Sequence, residues 1–181
     1  ALQELFLKIR ENMHIRRFKR LEGVLVPYVH GGGKIGVLVN LETPAGATDA
    51  VLACGKDCAL QVAALKPPYL NREAVPAEVI ESEKKIMIAQ MDEDPKMAKK
   101  PEQVKAKIVE GKVGKYYSEN CLLDQEFVKD GSFTVQKYVD HCAKEANTTI
   151  KVVDYVCFER GEGVEKKEDN FADEVASMMN K

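Results

Sequence analysis

The stretch from residue 24 to residue 42 constrains the fold most, because two runs of strand-forming residues flank a glycine-rich turn. The first run reads VLVPYVH, the turn reads GGGK and the second run reads IGVLVNLE. β-Branched and aromatic residues favour strands, and glycine adopts the positive φ angles of tight turns without steric cost. The stretch therefore predicts a β-hairpin that turns at glycines 31–33.

The same glycines raise an alternative, a dinucleotide-binding loop. Gly31, Gly33 and Gly36 have the G-x-G-x-x-G spacing, which cradles a pyrophosphate where a strand precedes the loop and a helix begins within it. Here the residues that follow read IGVLVNL, which is a strand pattern, and no helix is predicted between the glycines and Thr48. The context therefore favours a hairpin turn over a nucleotide site.

Apolar periodicity and turn residues place the remaining elements. Helices are expected over residues 2–12, 48–66, 77–91 and 101–117, after Ser132 as a cap, and near the C-terminus; strands are expected over 15–23 and 148–160. Antiparallel hairpins with helices packed on them define the α+β class. The sequence therefore predicts an α+β fold.

The helices over 77–91 and 101–117 share an unusual composition, since both are rich in lysine and glutamate and carry few apolar residues. Those apolar residues are Ile80, Met87 and Met91 on the first helix and Val104, Ile108 and Tyr116 on the second. Such helices bury only a narrow seam, so we expect them to pair as a protruding antiparallel hairpin.

Composition excludes several classes of protein. The formal net charge of −2 argues against a domain that grips the nucleic acid backbone. No apolar run approaches the roughly 18 residues of a membrane-spanning helix, and the first residues do not resemble a signal peptide. The five scattered cysteines do not suggest a disulfide framework, so a reducing compartment is expected. Because the first residue is alanine, a fragment or a processed form is expected.

The sequence gives little support for enzyme chemistry. Cys54 and Cys58 lie four residues apart on one helix face, where they could share a metal, but a structural zinc needs four ligands and burial is the better interpretation. His141 and Cys142 are adjacent, so on a helix they point in different directions. No G-x-S-x-G motif occurs, and no cofactor or metal site is predicted.

Five stretches, in order along nearly the whole chain, resemble the elongation factor Ts family, the guanine-nucleotide exchange factors of the translational GTPase elongation factor Tu. The stretches are ENMHIRRFKRLEG, YVHGGGKIGVLVNL, LQVAALKPPYL, KIVEGKVGKYYSENCLLDQEFVKD and RGEGVEKKEDNFADEVASMM. The resemblance implies two small antiparallel-sheet subdomains with packed helices, an inserted antiparallel coiled-coil hairpin and a C-terminal helical module. The corresponding boundaries are 1–45 for the remainder of the N-terminal subdomain, 46–74 with 119–158 for the C-terminal subdomain, 75–118 for the hairpin and 159–181 for the module.

The resemblance also implies a function: binding to elongation factor Tu and promotion of GDP release, so that GTP can reload. This activity needs a binding surface and no acid, base or nucleophile. Carried over from the family, the expected partner contacts are Ile35 and Gly36 at the nucleotide domain, Gln61, Phe127 and Val128 at another domain, and Phe171, Val175 and Met178 on the last helix at the nucleotide domain. Core packing is an equal alternative for Ile35 and Phe127.

Two departures from the family accompany these expectations. The family's N-terminal helical domain is expected to be absent together with its T-D-F-V motif, which does not occur in the 181 residues. The second departure is Gln61, which stands where many members carry a histidine. The first departure keeps open an alternative, a docking or dimerisation module that binds elongation factor Tu without driving exchange. A homodimer through the helical hairpin is a further expectation. The expected location is the bacterial cytoplasm, with an organelle interior as the alternative, and no contact with nucleic acid or membrane is expected.

Overall fold

The computed structural model of the chain describes residues 2–11 and 15–163. The elements are α1 (Leu2–Ile9), β1 (Val24–His30), β2 (Ile35–Glu42), α2 (Asp49–Leu65), α3 (Ala77–Glu93), α4 (Pro95–Ala98), α5 (Glu102–Asn120), α6 (Val135–Glu145) and β3 (Lys151–Glu159). Helices packed with an antiparallel sheet confirm the α+β class. Within the described residues, no helix is both long and apolar enough to cross a membrane.

The β-hairpin predicted from the glycine-rich turn is confirmed. Strands β1 and β2 pair antiparallel, and the last pair joins His30 to Ile35. The three glycines between them all have positive φ angles, of 59°, 63° and 88°. The Lys34 amide donates to the His30 carbonyl at 3.0 Å and closes the turn. The glycines therefore reverse the chain between two strands, and β2 follows them where a dinucleotide loop would need a helix.

The described residues form one three-stranded antiparallel sheet in the order β1-β2-β3. Strand β3 pairs with β2 from Ile35 to Glu42, with an irregularity between Asn40 and Leu41. This arrangement differs from the two sheets expected from the family resemblance, because β3 of the expected C-terminal subdomain pairs with β2 of the expected N-terminal subdomain. The domain boundaries themselves stay a prediction.

Helix α2 covers one face of the sheet. Alternate residues of β2, namely Val37, Val39 and Leu41, are buried against it. From α2 the buried residues include Val51, Cys54, Cys58 and Val62, whereas Leu65 at the end of the helix is 50% exposed. Both cysteines therefore belong to the core, as the burial interpretation expected.

Helices α3 and α5 pack against each other away from the main core, and together with α4 they form the arm (residues 77–120). Lys105 near the start of α5 bonds Asp92 near the end of α3 at 2.8 Å. Ile80, near the start of α3, lies in the same cluster as Val113 on α5. These contacts show that α3 and α5 run antiparallel to each other.

Two local predictions were wrong. Residues 15–23 form no strand. Instead, Arg17 pairs with Glu162, which follows β3, and Lys19 pairs with Asp154, which lies within β3. Ser132 does not cap α6, because its amide and hydroxyl both bond the Asp130 carboxylate. Thr134 takes the capping role and accepts a hydrogen bond from the Lys137 amide at 3.3 Å.

Candidate protein-binding surface

Gly36 lies on the face of the sheet opposite α2, close to the glycine turn. Its cross-strand neighbours are Val29 on β1 and Phe158 on β3, which are 68% and 37% exposed. A Cβ atom added at Gly36 would meet nothing within 4 Å. The backbone is therefore bare between two exposed apolar side chains, and another molecule can approach it closely.

Ile35 differs from its neighbour because alternate residues of a strand face opposite sides of the sheet. Its side chain is half-buried and packs against the main core. The core-packing interpretation therefore describes Ile35 in this structure, and Gly36 supplies the open surface at this end of β2.

The segment before β1 is tied to the same open face. The Arg17 guanidinium lies 4.8 Å from the centre of the Phe158 ring and bonds the Glu162 carboxylate at 2.8 Å. Hydrogen bonding from Arg17 lowers the pKa of Glu162 below its ordinary value. Lys19 bonds Asp154 at 2.6 Å. Arg17 and Lys19 therefore border the apolar strip formed by Val29, Gly36 and Phe158.

Gln61 does not lie on the surface. Its side chain is completely buried, and its amide nitrogen donates to the Gln125 side-chain oxygen at 3.1 Å and to the Glu126 carbonyl at 3.0 Å. Its amide oxygen accepts from the Val128 amide at 2.9 Å. A partner cannot reach Gln61 in this structure, so the direct contact expected from the resemblance is not what the geometry provides.

The two other residues expected beside Gln61 have different environments. Phe127 is 3% exposed and stacks on Tyr138 of α6, with ring centres 4.1 Å apart. Core packing therefore accounts for Phe127. Val128 is 45% exposed, although its backbone amide is held by Gln61. Of the three residues that the structure brings together here, only Val128 presents an apolar side chain to solvent.

A second set of contacts holds the same loop, and no sequence motif marks it. Lys129 bonds the Asp57 carboxylate, and the other oxygen of that carboxylate accepts from the Tyr138 hydroxyl at 2.5 Å. Burial, and then the hydrogen bond to Asp57, raise the pKa of Tyr138. The sequence feature that could have indicated these contacts is the spacing of Asp57 and Gln61, which lie four residues apart on one face of α2.

The C-terminal end of α2 links the loop to the sheet. Lys66, which follows the helix, bonds Glu159, and Glu159 pairs with Ile35 at the start of β2. Gln61 lies little more than one turn earlier on the same helix. The loop around Val128 and the strand end around Gly36 are therefore both anchored at this end of α2. Phe171, Val175 and Met178, the other expected contacts, lie outside the described residues.

The fold is thus an α+β module with a helical arm, in which one strand end and one braced loop present apolar surface. Comparison with known proteins identifies the family. Residues 1–162 match the family model described as elongation factor TS. The chain therefore belongs to the elongation factor Ts family, which confirms the resemblance found from the five sequence stretches.

Curated relatives agree with the family match. The chain is 45% identical over 184 residues to elongation factor Ts of Clostridium botulinum (strain ATCC 19397 / Type A). It is 44% identical over 182 residues to elongation factor Ts of Clostridium tetani and also 44% identical to that of Clostridium kluyveri. Each alignment covers 99% of this chain and 58% of the relative. The chain thus spans somewhat more than half the length of these relatives.

Proposed function

We propose that this chain binds elongation factor Tu and promotes the release of GDP, so that GTP can reload. The observation that carries the proposal is the family match across residues 1–162. The bare backbone at Gly36 supports it, because an open strand end flanked by exposed Val29 and Phe158 suits close contact with another protein. The proposed activity works through protein–protein binding and not through bond chemistry in this chain.

The proposed mechanism is thermodynamic linkage. A surface that binds the nucleotide-free GTPase more tightly than the GDP-bound form lowers the affinity for GDP by the same factor. In this proposal Gly36 meets the nucleotide domain of elongation factor Tu and Val128 meets another domain. Phe171, Val175 and Met178 pack on the nucleotide domain.

Finer features of the family belong to the same proposal. Residues 75–118 act as an inserted coiled coil and residues 159–181 as a C-terminal module. The chain works in a bacterial cytoplasm, with an organelle interior as the alternative, and a homodimer forms through the arm. The antiparallel packing of α3 on α5 supports the coiled coil.

The test is the release rate of a fluorescent GDP analogue from elongation factor Tu, with and without this chain. We expect faster release with the wild-type chain and slower release with Gly36→Val, because the added side chain holds the partner away from the strand. Gly111→Ala is the matched control, since a Cβ there also meets nothing within 4 Å but lies on the arm.

The outcomes separate the two candidate functions. Acceleration that Gly36→Val reduces and Gly111→Ala leaves unchanged would support exchange through this surface. Binding without acceleration would favour the alternative, a docking or dimerisation module that does not drive exchange. If elongation factor Tu did not bind the wild-type chain at all, the proposed function would be wrong.

A further inference from the structure

We propose that Gln61 is a positioning residue, which holds the loop of residues 126–129 so that Val128 can contact the partner. The inference rests on the proposed function, and it gives Gln61 a role that burial allows. A fully buried amide cannot touch another protein, but it can fix the backbone of a loop that does.

The hydrogen bonds of Gln61 surround a single residue of the loop. Its amide nitrogen donates to the carbonyl of Glu126, and its amide oxygen accepts from the amide of Val128, so the side chain spans both peptide groups next to Phe127. The remaining donor bonds Gln125, whose own side-chain nitrogen donates to the Glu119 carbonyl at 2.9 Å. Each polar atom of the Gln61 amide therefore serves to hold the segment that leads into Val128.

The side chains on either side of Val128 are tied independently. Phe127 stacks on Tyr138, and Lys129 bonds Asp57. Asp57 and Gln61 are four residues apart on α2, so the helix holds the loop at two successive turns. Val128 is the one member of the three-residue stretch 127–129 whose side chain makes none of these contacts, and it is 45% exposed.

This arrangement suits binding because an apolar group on an ordered loop loses less conformational freedom when a partner covers it. A loop that must first become ordered binds more weakly with the same contacts. The bracing by Gln61 therefore contributes to affinity without contributing contact area. The consequence is that Gln61 and Val128 act on the partner as one unit.

The first experiment measures hydrogen exchange in the free chain. In Gln61→Met, which keeps the size of the side chain but removes its hydrogen bonds, we expect the Val128 amide to exchange with solvent about tenfold faster. Amides of β2 serve as the internal reference and should keep their protection. Gln61→His retains one donor and one acceptor, so its Val128 amide should exchange at a rate between those of wild type and Gln61→Met. If Gln61→Met does not fold, the rate in Gln61→His is compared with wild type alone, and an unchanged rate would overturn the positioning role.

The second experiment measures affinity for elongation factor Tu in a double-mutant cycle of Gln61→Met and Val128→Ala. We expect each single change to weaken binding and the double change to cost clearly less than the sum of the two, because both act through the same contact. Gln90→Met on the exposed face of α3 is the matched control and should leave affinity unchanged. Gln61→His should recover affinity in parallel with the protection of Val128.

Each outcome is decisive. Strictly additive losses, or loss of affinity with unchanged protection of Val128, would overturn the positioning role while leaving the proposed function intact. If the wild-type chain did not bind elongation factor Tu, the proposed function would fail and the partner-related role of Gln61 with it. In that case the hydrogen-exchange rate of the Val128 amide would still report whether Gln61 braces the loop.

Discussion

At the scale of single residues, Gly55 determines how closely α2 approaches the sheet. A Cβ atom at this position would lie 2.5 Å from a methyl carbon of Val26 and 2.9 Å from one of Leu41, both of which belong to the main core. Neither neighbour can move freely, since each is almost fully buried. The absence of a side chain at residue 55 is therefore a packing requirement.

Gly55→Ala is expected to lower the free energy of unfolding by about 1–3 kcal/mol, because the added methyl group overpacks the contact between helix and strand. Urea denaturation monitored by circular dichroism measures the change. The matched control is Gly114→Ala on α5, where a Cβ atom meets nothing within 4 Å. Since alanine favours helix over glycine, this control should be neutral or stabilising by up to about 1 kcal/mol. Equal effects of the two changes would contradict the packing requirement.

Tyr138 predicts a specific loss of stability at alkaline pH. Burial and the hydrogen bond to Asp57 raise the pKa of this hydroxyl in the folded state. Its stabilising effect is therefore complete below the unfolded pKa of about 10 and is lost as the pH rises above that value.

The comparison of wild type with Tyr138→Phe tests this expectation. The free energy of unfolding should fall more steeply above about pH 10 in the wild-type chain, because phenylalanine has no proton to lose. At neutral pH the variant should be less stable, since it lacks the bond to Asp57. Tyr155, whose pKa burial also raises, should keep part of the slope in both proteins. Parallel pH profiles would show that Tyr138 does not titrate in this way.

At the scale of elements, the arm depends on a few buried side chains. Met91 on α3 and Val109 on α5 are buried, whereas Val104, an apolar residue that the sequence placed on the seam, is 40% exposed. The seam is therefore thin, as the sparse apolar pattern of these helices indicated. The arm should open more easily than the sheet.

Val109→Ala is expected to lower the local stability of the arm by about 1–3 kcal/mol, because it removes two buried methyl groups from a thin seam. Native-state hydrogen exchange should show faster exchange at the amides of α3 and α5 with unchanged rates in β2. Val104→Ala on the same helix is the control and should have little effect. Faster exchange throughout the sheet would mean that the arm and the sheet unfold as one unit.

The elements were predictable where local pattern and long-range packing agree. The hairpin follows from glycines 31–33 between two β-branched runs, and α2 follows from its apolar stripe. The segment over 15–23 was not predictable, because its residues IRRFKRLEG resemble a strand while Arg17 and Lys19 are held by ion pairs to distant carboxylates. The single sheet depends on pairing between β2 and β3, which are far apart in sequence and carry no local signal of their register.

The candidate surface was predictable only in part for a similar reason. Gly36 and Val128 are exposed, as expected of contact residues. Phe127 is buried, as the core-packing alternative expected. The burial of Gln61 depends on the carbonyl of Glu126 and the amide of Val128, which are backbone groups of a loop remote in sequence. No property of glutamine at this position indicates such partners. The bracing by Asp57 and Lys129 was missed because it joins two elements that only the fold brings together.

At the scale of the whole molecule, the main core and the arm are separable. The main cluster joins β1, β2, β3, α2, α6 and the loop around Phe127, and it contains no residue between 71 and 121. The arm meets the rest of the described chain through a separate small cluster, centred on Val75, Ile80 and Cys121. The sheet with α2 and α6 should therefore fold without the arm.

Replacing residues 77–118 with a short glycine–serine linker tests this separation. The remaining chain should keep a single cooperative unfolding transition in urea, with a smaller m-value because less surface becomes exposed. Retaining Glu119 preserves the carbonyl that bonds Gln125, so the Val128 amide should also stay protected. A non-cooperative transition in the shortened chain would show that the arm is needed to complete the core.

The position of β2 between its two partners has a consequence for the order in which the protein is made. The hairpin partner β1 is already present when β2 leaves the ribosome, but β3 follows only after α2, the arm and α6. At about 5–20 residues per second, the second edge of β2 waits on the order of ten seconds for its native neighbour. An unpaired edge can accept a strand from another chain. The nascent polypeptide is therefore expected to be most prone to mispairing, and most dependent on chaperones, during this interval of translation.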